Sequence, residues 1–456
     1  MYENHHNNRT IESGFQNGSV KLLGANHDRA LNEDVRTRLG KPGLRNLLIL
    51  GAAGHVAKAV FTRLGGRINR FDSVILLDRR EPNKFLLERD NVRFVRQDLS
   101  FPRDTVNFRN LIRSGGVALV LDLTDMDTLH VLEATDHAGA SYINTALNDA
   151  RRGITALLER IHPHRNEPRR APHILSSGMN PGVVNIWVWD GVQRFGTPEE
   201  ILHFEYDDST PKAGWQPIIT WSRQEFLTET VWEPTGVVEG GDLKLFPTNA
   251  LRNREDLREV LSPIVQLPEY PHGFTVLHEE NLKLGRNLGA SSRYVYAIHP
   301  KTMEYLVELY EKNGTVSLED IQVADNTEIP LKGTDLIGVR LRYPDKDVYY
   351  VHRLRNDEVV ETNATCAQVA CGVEAALHTL ATEALEPRVY FATDLYETNY
   401  SRWIFRNMRI ERYVFERVNK RPGNLSAGRI ERPYEHSGRS PRESMGATME
   451  RMSHVS

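Results

Sequence analysis

The chain has 456 residues, a formal net charge of −4, 40% apolar residues and 26% charged residues, a composition with room for two or three domains of roughly 100–200 residues each. Its lysines and arginines are scattered evenly, which argues against a nucleic-acid partner, and no apolar run approaches the ~20 residues that span a bilayer, which argues against a membrane partner. Cys366 and Cys371, the two cysteines, suit neither a disulfide framework nor a zinc site, so a reducing cytoplasm is the expected compartment and no metal is expected.

In chain order, residues 1–44 are polar and aperiodic and read as a disordered tail. The first ten residues lack the apolar core of a secretory signal, and His5-His6 lacks a third fixed metal ligand. Patterning begins with Leu47-Leu48-Ile49-Leu50, which leads into Gly51-Ala52-Ala53-Gly54-His55-Val56-Ala57. A second apolar run, Val74-Ile75-Leu76-Leu77, ends in Asp78, 27 residues beyond Gly51. Between the runs, Val56, Ala57, Val60, Phe61 and Leu64 recur at helical spacing. Strand, small-residue turn, helix, strand and acid in that order mark a dinucleotide-binding unit. The small residues let backbone N–H groups approach a pyrophosphate at a helix N-terminus, and the acid reaches the adenosine ribose. The spacing is GxxGxxA, which plain strand-to-helix turns also show, so the order of elements carries the reading. Asp78 repels a 2′-phosphate whereas Arg79 and Arg80 attract one, which makes NAD the expected cofactor and leaves NADP open.

The alternation continues to residue 178. Strands are expected at 47–50, 74–77, 92–95, 117–121, 141–143 and 173–176, with helices between them, one running from Thr128 to His137 behind a cap at Asp127. This is the pattern of an α/β, Rossmann-type, doubly wound parallel sheet over residues 45–180. Pro181 is placed to open a helix as its first residue. From there to residue 362 the pattern turns to mixed strands such as 338–343 and 348–354, the mark of a second, α+β substrate or dimerisation domain. A small-residue helix from Asn363 to Glu383 is expected to pack back on the nucleotide domain within a segment 363–418, and 419–456 reads as a second disordered tail. His162-Pro163-His164 reads as a loop rather than a metal site.

The chemistry concentrates between Glu199 and Asp242, where ten acids face two bases, Lys212 and Arg223, in company with Trp215, Trp221 and Trp232. Carboxylates beside an indole suit a cationic amine, since the acids neutralise it and the ring face adds roughly 0.5–2 kcal/mol. The same composition also describes a solvated acidic surface over core tryptophans.

Several segments, in the same order, resemble bacterial homospermidine synthase within the saccharopine dehydrogenase-like superfamily. They are the glycine turn; Gly139-Ala140-Ser141-Tyr142-Ile143-Asn144-Thr145; Gly178-Met179-Asn180-Pro181-Gly182; Thr220-Trp221-Ser222 with Phe226-Leu227 and Glu229; Tyr296-Ala297-Ile298-His299-Pro300; Asp325-Asn326-Thr327-Glu328-Ile329; and Asn363-Ala364-Thr365 with Gln368-Val369. The resemblance implies a homodimer with a bound NAD that takes hydride from a diamine, attack of a second amine on the imine with loss of ammonia, and return of the hydride. By the same resemblance Trp221 matches an active-site tryptophan, Glu229 a nearby carboxylate and Asp207 a second one, while Asn180 and His299 match polar residues of the pocket. Cofactor contacts are expected from Gly51, Ala53, Gly54, His55 and Val56 of the turn, from Asp78 and Arg79, and from Asp98, Thr124 and Thr145 after later strands.

One departure bears on substrate. Where the family carries a Glu-Pro pair that helps bind the distal amine, this chain has Asn148-Asp149, which weakens the case for putrescine unless Asp149 substitutes. Two other functions are carried forward. One is reductive condensation of an amine with an aldehyde or keto acid using NAD(P)H, with Lys212, Arg223 or Arg293 as the contact for a substrate carboxylate. The other is a non-catalytic nucleotide-binding scaffold or sensor.

Overall fold

A computed structural model describes residues 46–149, 153–165, 167–417 and 429–431. The expected N-terminal tail and most of the expected C-terminal tail lie outside the described residues.

β1 (Asn46–Leu50) carries Leu47 to Leu50 fully shielded from solvent, because an inner strand of a parallel sheet is covered on both faces and so reads as an unbroken apolar run. β2 (Ser73–Asp78), β3 (Val92–Arg96), β4 (Leu119–Asp122), β5 (Ser141–Asn144) and β6 (His173–Ile174) follow. Among the described residues they form a seven-stranded parallel sheet in the order Val389–Tyr390, β6, β5, β4, β1, β2, β3. The intervening helices are α1 (His55–Leu64), α2 (Thr105–Ser114), α3 (Thr128–Ala138) and α4 (Ile154–Ile161). This is the expected doubly wound α/β fold, each of the six expected strands lying within two residues of its place. Asp127 caps α3 as expected, its carboxylate accepting from the His130 amide at 3.0 Å.

Beyond β6 the helix α5 (Val183–Phe195) begins at Val183 with Gly182 as its cap. Pro181 therefore lies outside the helix, not at its first position, because the chain still has to turn at Gly182, whose φ is +131°, before α-helical geometry can begin. A second, ten-stranded mixed sheet follows among the described residues. Its strands are β7 (Glu200–Asp207), β8 (Pro234–Glu239), β9 (Asp242–Asn249), β10 (Arg254–Asp256), β11 (His272–Val276), β12 (Ser291–Ile298), β13 (Thr334–Arg342), β14 (Lys346–Arg355), β15 (Glu411–Glu416) and β16 (Arg429–Glu431). β7 is central, parallel to β12 and antiparallel to β13. β16 lies within the expected C-terminal tail and pairs with β15. Helices α6 (Arg223–Leu227), α7 (Glu279–Leu288), α8 (Pro300–Asn313), α9 (Ala364–Thr382) and α10 (Asn399–Asn407), a single helical turn at Arg258–Leu261 and two short two-stranded sheets accompany this sheet.

α9 is the small-residue helix expected from sequence. Asn363 caps it, accepting from the Cys366 amide at 2.8 Å. The helix is buried along most of its length and packs on α1. A side chain at Gly372 would put its Cβ 2.2 Å from the carbonyl oxygen of Gly178, so the helix rests directly on the backbone that follows β6. Cys366 and Cys371 are buried free thiols inside this packing. His164 lies in a short 3₁₀ turn, where it shares Glu133 and Glu167 with the guanidinium of Arg169.

Candidate active site

At the carboxyl end of the parallel sheet the turn after β1 is held from within. The amides of Gly51 and Ala52 donate to the Leu77 carbonyl at 3.1 and 3.4 Å, and that of Gly54 donates to the Gly51 carbonyl at 3.0 Å. Asp78 accepts from the Ala53 amide at 2.9 Å and from that of Arg80 at 2.9 Å. Gly51 has a φ of +76°, and a Cβ there would lie 2.6 Å from the Leu123 carbonyl oxygen, so glycine is required where the turn crosses the neighbouring strand end. The open anion donors are then the first-turn amides of α1 at His55, Val56 and Ala57, which helix geometry leaves without intrahelical partners. Thr124 donates its hydroxyl to Asp122 at 2.6 Å. Arg79 and Asp98 are exposed farther out, and Thr145 is half-buried where its carbonyl faces Gly178. A cavity of about 440 Å³ opens beyond β3 and β4, lined by Leu99, Phe101, Asp125, Asp127, Asp149 and Arg160, among others.

The second sheet contributes a polar face. Side chains alternate along a strand, and the register sets Tyr296 beside Glu205, and Asp207 beside Asp335. Glu205 accepts from the Tyr294 hydroxyl at 2.6 Å and from Asn180 Nδ2 at 2.6 Å. Burial pushes its carboxyl up to about 7. Asp207 accepts from the Thr220 hydroxyl at 2.6 Å and the Ser209 amide at 3.0 Å, and burial raises its pKa as well. Asp335 accepts from Thr365 at 2.7 Å and Gln368 at 2.9 Å on one oxygen, while the other is buried with no hydrogen-bond partner. Burial, then the charges of Glu205 and Asp207, hold its carboxyl well above the usual range.

Trp221 sits at the edge of this face, half-buried against Phe226 and Tyr296, its indole N–H donating to the Tyr296 hydroxyl at 3.1 Å. Its position relative to the nucleotide turn follows from a short parallel pairing of Ile218–Ile219 with Gln322–Val323. Beyond it, Thr220-Trp221 and Ala324-Asp325 run on side by side, with Asn363 Nδ2 donating to the carbonyls of both Thr220 and Ala324. Asp325 in turn meets His55 Nδ1 at 2.6 Å and Lys58 Nζ at 2.8 Å. Trp221 is thus linked to the first turn of α1 through the strand pairing and the side chains of Asn363 and Asp325.

α6 continues into one turn of π-helix, Thr228–Trp232, a departure that recurs at functional sites. Glu233 approaches Gly153, with 3.3 Å from its Oε2 to a Cβ built there. Burial, then the charges of Glu229 and Asp125, push Glu225 up to about 7. These acids therefore face the strand ends of the parallel sheet. Glu229 lies 3.3 Å from His278 Nε2, and the His278 ring meets that of Tyr294 at 5.3 Å. His299 caps α8, its Nδ1 accepting from the Lys301 amide at 3.3 Å. Burial, then the Lys301 charge, lowers its pKa, against the opposing pull of Asp207.

Trp221, Asn180, Asp207, Glu229 and His299 thus border one polar surface. The cations expected for a substrate carboxylate do not join it. Arg293 pairs with Glu200 and Glu255, Arg223 donates to the Leu318 carbonyl, and Lys212 is exposed. Asp149 is buried against Arg160 at 2.5 Å, and the same guanidinium nitrogen also meets Asp127 at 3.0 Å. Trp215 and Trp232, 37% and 41% exposed, lie outside the core that the composition suggested. Sequence reasoning gave no individual role to Glu205, Tyr294, Tyr296, Asp335, His278 or Lys58. The alternation Tyr294-x-Tyr296, matched by Glu205-x-Asp207, was a local signal; Asp335 carries none, because its partners are remote in sequence, and His278 has Glu280 two residues on but meets Glu229 only through the fold.

No protein-family profile matches the chain, and no curated protein matches it in sequence. Among solved structures it is similar to the homospermidine synthase of Legionella pneumophila, described in complex with NAD, with a TM-score of 0.65 at 16% identity over 87% of this chain and 93% of that one. It is also similar to an amine dehydrogenase of Mycobacterium smegmatis, with a TM-score of 0.36 at 8% identity over 78% of this chain and 96% of that one. At these identities the likeness speaks to fold, and the second comparison carries no argument.

Proposed function

We propose that the chain is an NAD-dependent oxidoreductase acting on amines. Within that class we assign it the homospermidine synthase type of reaction. A diamine is oxidised to an imine, a second amine displaces ammonia, and reduction of the new imine gives a longer polyamine with no net oxidant consumed.

The observation that carries this reading is the group of three buried carboxyls, Glu205, Asp207 and Asp335, with an unpartnered Asp335 oxygen and the Trp221 ring at their edge. A buried acid cluster is stabilised by a cation, and an indole face favours an ammonium or iminium. Bound NAD would supply a hydride acceptor and donor. The residues present fit it: the first-turn amides of α1 suit a pyrophosphate, the bound Asp78 keeps lone pairs for ribose hydroxyls, and the cavity past β3 and β4 has room for an adenosine. Hydride leaves only a neutral amine, so a nearby group must take a proton. Glu205, brought up to about 7 by burial, is matched to that task near neutral pH, while Asn180 and Tyr294 hold it in place. A positive charge developing at carbon draws the Asp207 and Asp335 carboxyls, which burial raises, toward their ionised forms, and in those forms they offset it.

Incubation with putrescine and NAD tests the reading, with a longer polyamine and ammonia as the expected products. Stoichiometric NAD(P)H oxidation with an aldehyde or keto acid would replace it with reductive condensation. Bound NAD without turnover of any amine would leave a nucleotide-binding scaffold.

A further inference from the structure

His278 stands just before α7, its backbone N–H donating to Asn281 at 2.8 Å, and its ring bridges two acids. Nδ1 is hydrogen-bonded to Glu280, and Nε2 lies 3.3 Å from Glu229. The two acids differ in setting. The Glu280 side chain is fully buried and that of Glu229 is 21% exposed, on the π-turn that faces the parallel sheet. Among the described residues His278 is the side chain that hydrogen-bonds Glu280. A carboxylate so enclosed costs several kcal/mol unless a cation matches it, and among the described residues no lysine or arginine is paired with it.

We propose that His278 is a fixed imidazolium, held charged by Glu280, whose second nitrogen holds the Glu229 carboxyl group in place as an anchor for a substrate cation. This makes His278 a positioning residue acting through Glu229, and it rests on the amine reading only for the nature of the cation.

The surroundings agree. Burial pulls the His278 pKa down, but Glu280 and Glu229 together raise it well above the usual value. Burial pushes Glu280 up, and His278 draws it below the ordinary range. The two directions describe one ion pair. From its own helix His278 also faces Glu279, and from α6 it faces Glu225. From the sheet it faces Tyr294 and Glu205, together with His203, which burial keeps neutral by lowering it to about 4. Acids outnumber cations around the ring, so a proton on it is favoured. The bond to Glu280 occupies Nδ1, and the approach of a second carboxyl oxygen to Nε2 at 3.3 Å favours a proton on that nitrogen too.

Two measurements on the full chain decide the matter. In ¹⁵N-histidine spectra, with His278 assigned by its loss in H278Q, both ring nitrogens are expected to remain protonated to pH 8.5; a neutral tautomer at pH 7.5 overturns the proposal. In a double-mutant cycle read by putrescine affinity, H278Q is expected to weaken binding about tenfold, one pKa unit's worth of interaction, and by less than about twofold when E229Q is already present. Equal losses in both backgrounds would make His278 a mere structural support and overturn the proposal. Absence of putrescine binding at any pH would count against the amine reading alone, and the nitrogen spectra would still decide the charge on His278.

Discussion

His55 Nδ1 lies 2.6 Å from Asp325 Oδ2, across 270 residues of sequence. The same oxygen receives Lys58 Nζ at 2.8 Å, and Lys58 also donates to the Thr327 hydroxyl at 2.9 Å. The first turn of the helix that would receive a pyrophosphate is therefore fastened to the segment beside Trp221.

Replacing Asp325 by Asn leaves the buried Lys58 charge with only the exposed Glu328 carboxylate, 3.6 Å away, as its anion among the described residues. Breaking a buried pair from one side costs about 3–5 kcal/mol, so denaturant unfolding of D325N is expected to show a loss of that size, together with weaker NADH binding by fluorescence. His55, Lys58 and Thr327 hold the Asp325 carboxyl well below the usual range against the opposing pull of burial. The stabilisation is then complete above the ordinary carboxylate pKa and is lost as pH falls through the lowered one. An acid-unfolding midpoint for D325N no different from that of the parent would contradict this account.

Glu205 behaves in the opposite sense. Its carboxyl is raised to about 7 from 4.5, so between those values the folded chain binds a proton that the unfolded chain does not, and stability falls as pH rises through that window. E205Q removes the penalty. Its melting temperature is expected to rise by roughly 2–4 °C at pH 8 for each kcal/mol relieved and to match the parent at pH 4, while turnover collapses. Equal melting shifts at both pH values would refute the assignment.

Trp221 offers a ring and an N–H, and the two separate by substitution. W221F retains a face for a cation and loses the bond to Tyr296, whereas W221A loses both. On the scale of a desolvated cation–π contact, W221A is expected to lose on the order of thirtyfold in kcat/KM, and W221F appreciably less. Identical losses in a steady-state assay would move the cation away from the ring.

A methyl group at either close approach tests the scaffold. G51A would face the Leu123 carbonyl at 2.6 Å with an unfavourable φ, and G372A would press on Gly178 at 2.2 Å. Each is expected to destabilise by about 1–3 kcal/mol in chemical denaturation, and G51A should also lose dinucleotide affinity. G372A, far from the phosphate turn in sequence, should lose stability first.

The parallel sheet was legible because strands covered on both faces leave unbroken apolar runs, of which Leu47 to Leu50 is the clearest. Val389–Tyr390 was not, since two residues show no period. Of the acidic surface, Asp207 was singled out by resemblance, while Glu205 was counted only among the acids of a tryptophan-rich stretch. Asp335 gains its meaning from register with Asp207, and His278 from Glu229, 49 residues earlier in the sequence. Such partnerships form only when strands pair, and no local pattern announces them. Pro181 shows the same limit in reverse: its fixed φ suits a helix start, yet the turn at Gly182 delays that start.

α9 has one further consequence. It is capped by an asparagine that also grips the second sheet's loops at Thr220 and Ala324, and a few turns later it leans on the backbone beyond β6. A single rod held at its N-terminus and again at its middle couples the two sheets, so a distortion at either contact is carried to the other.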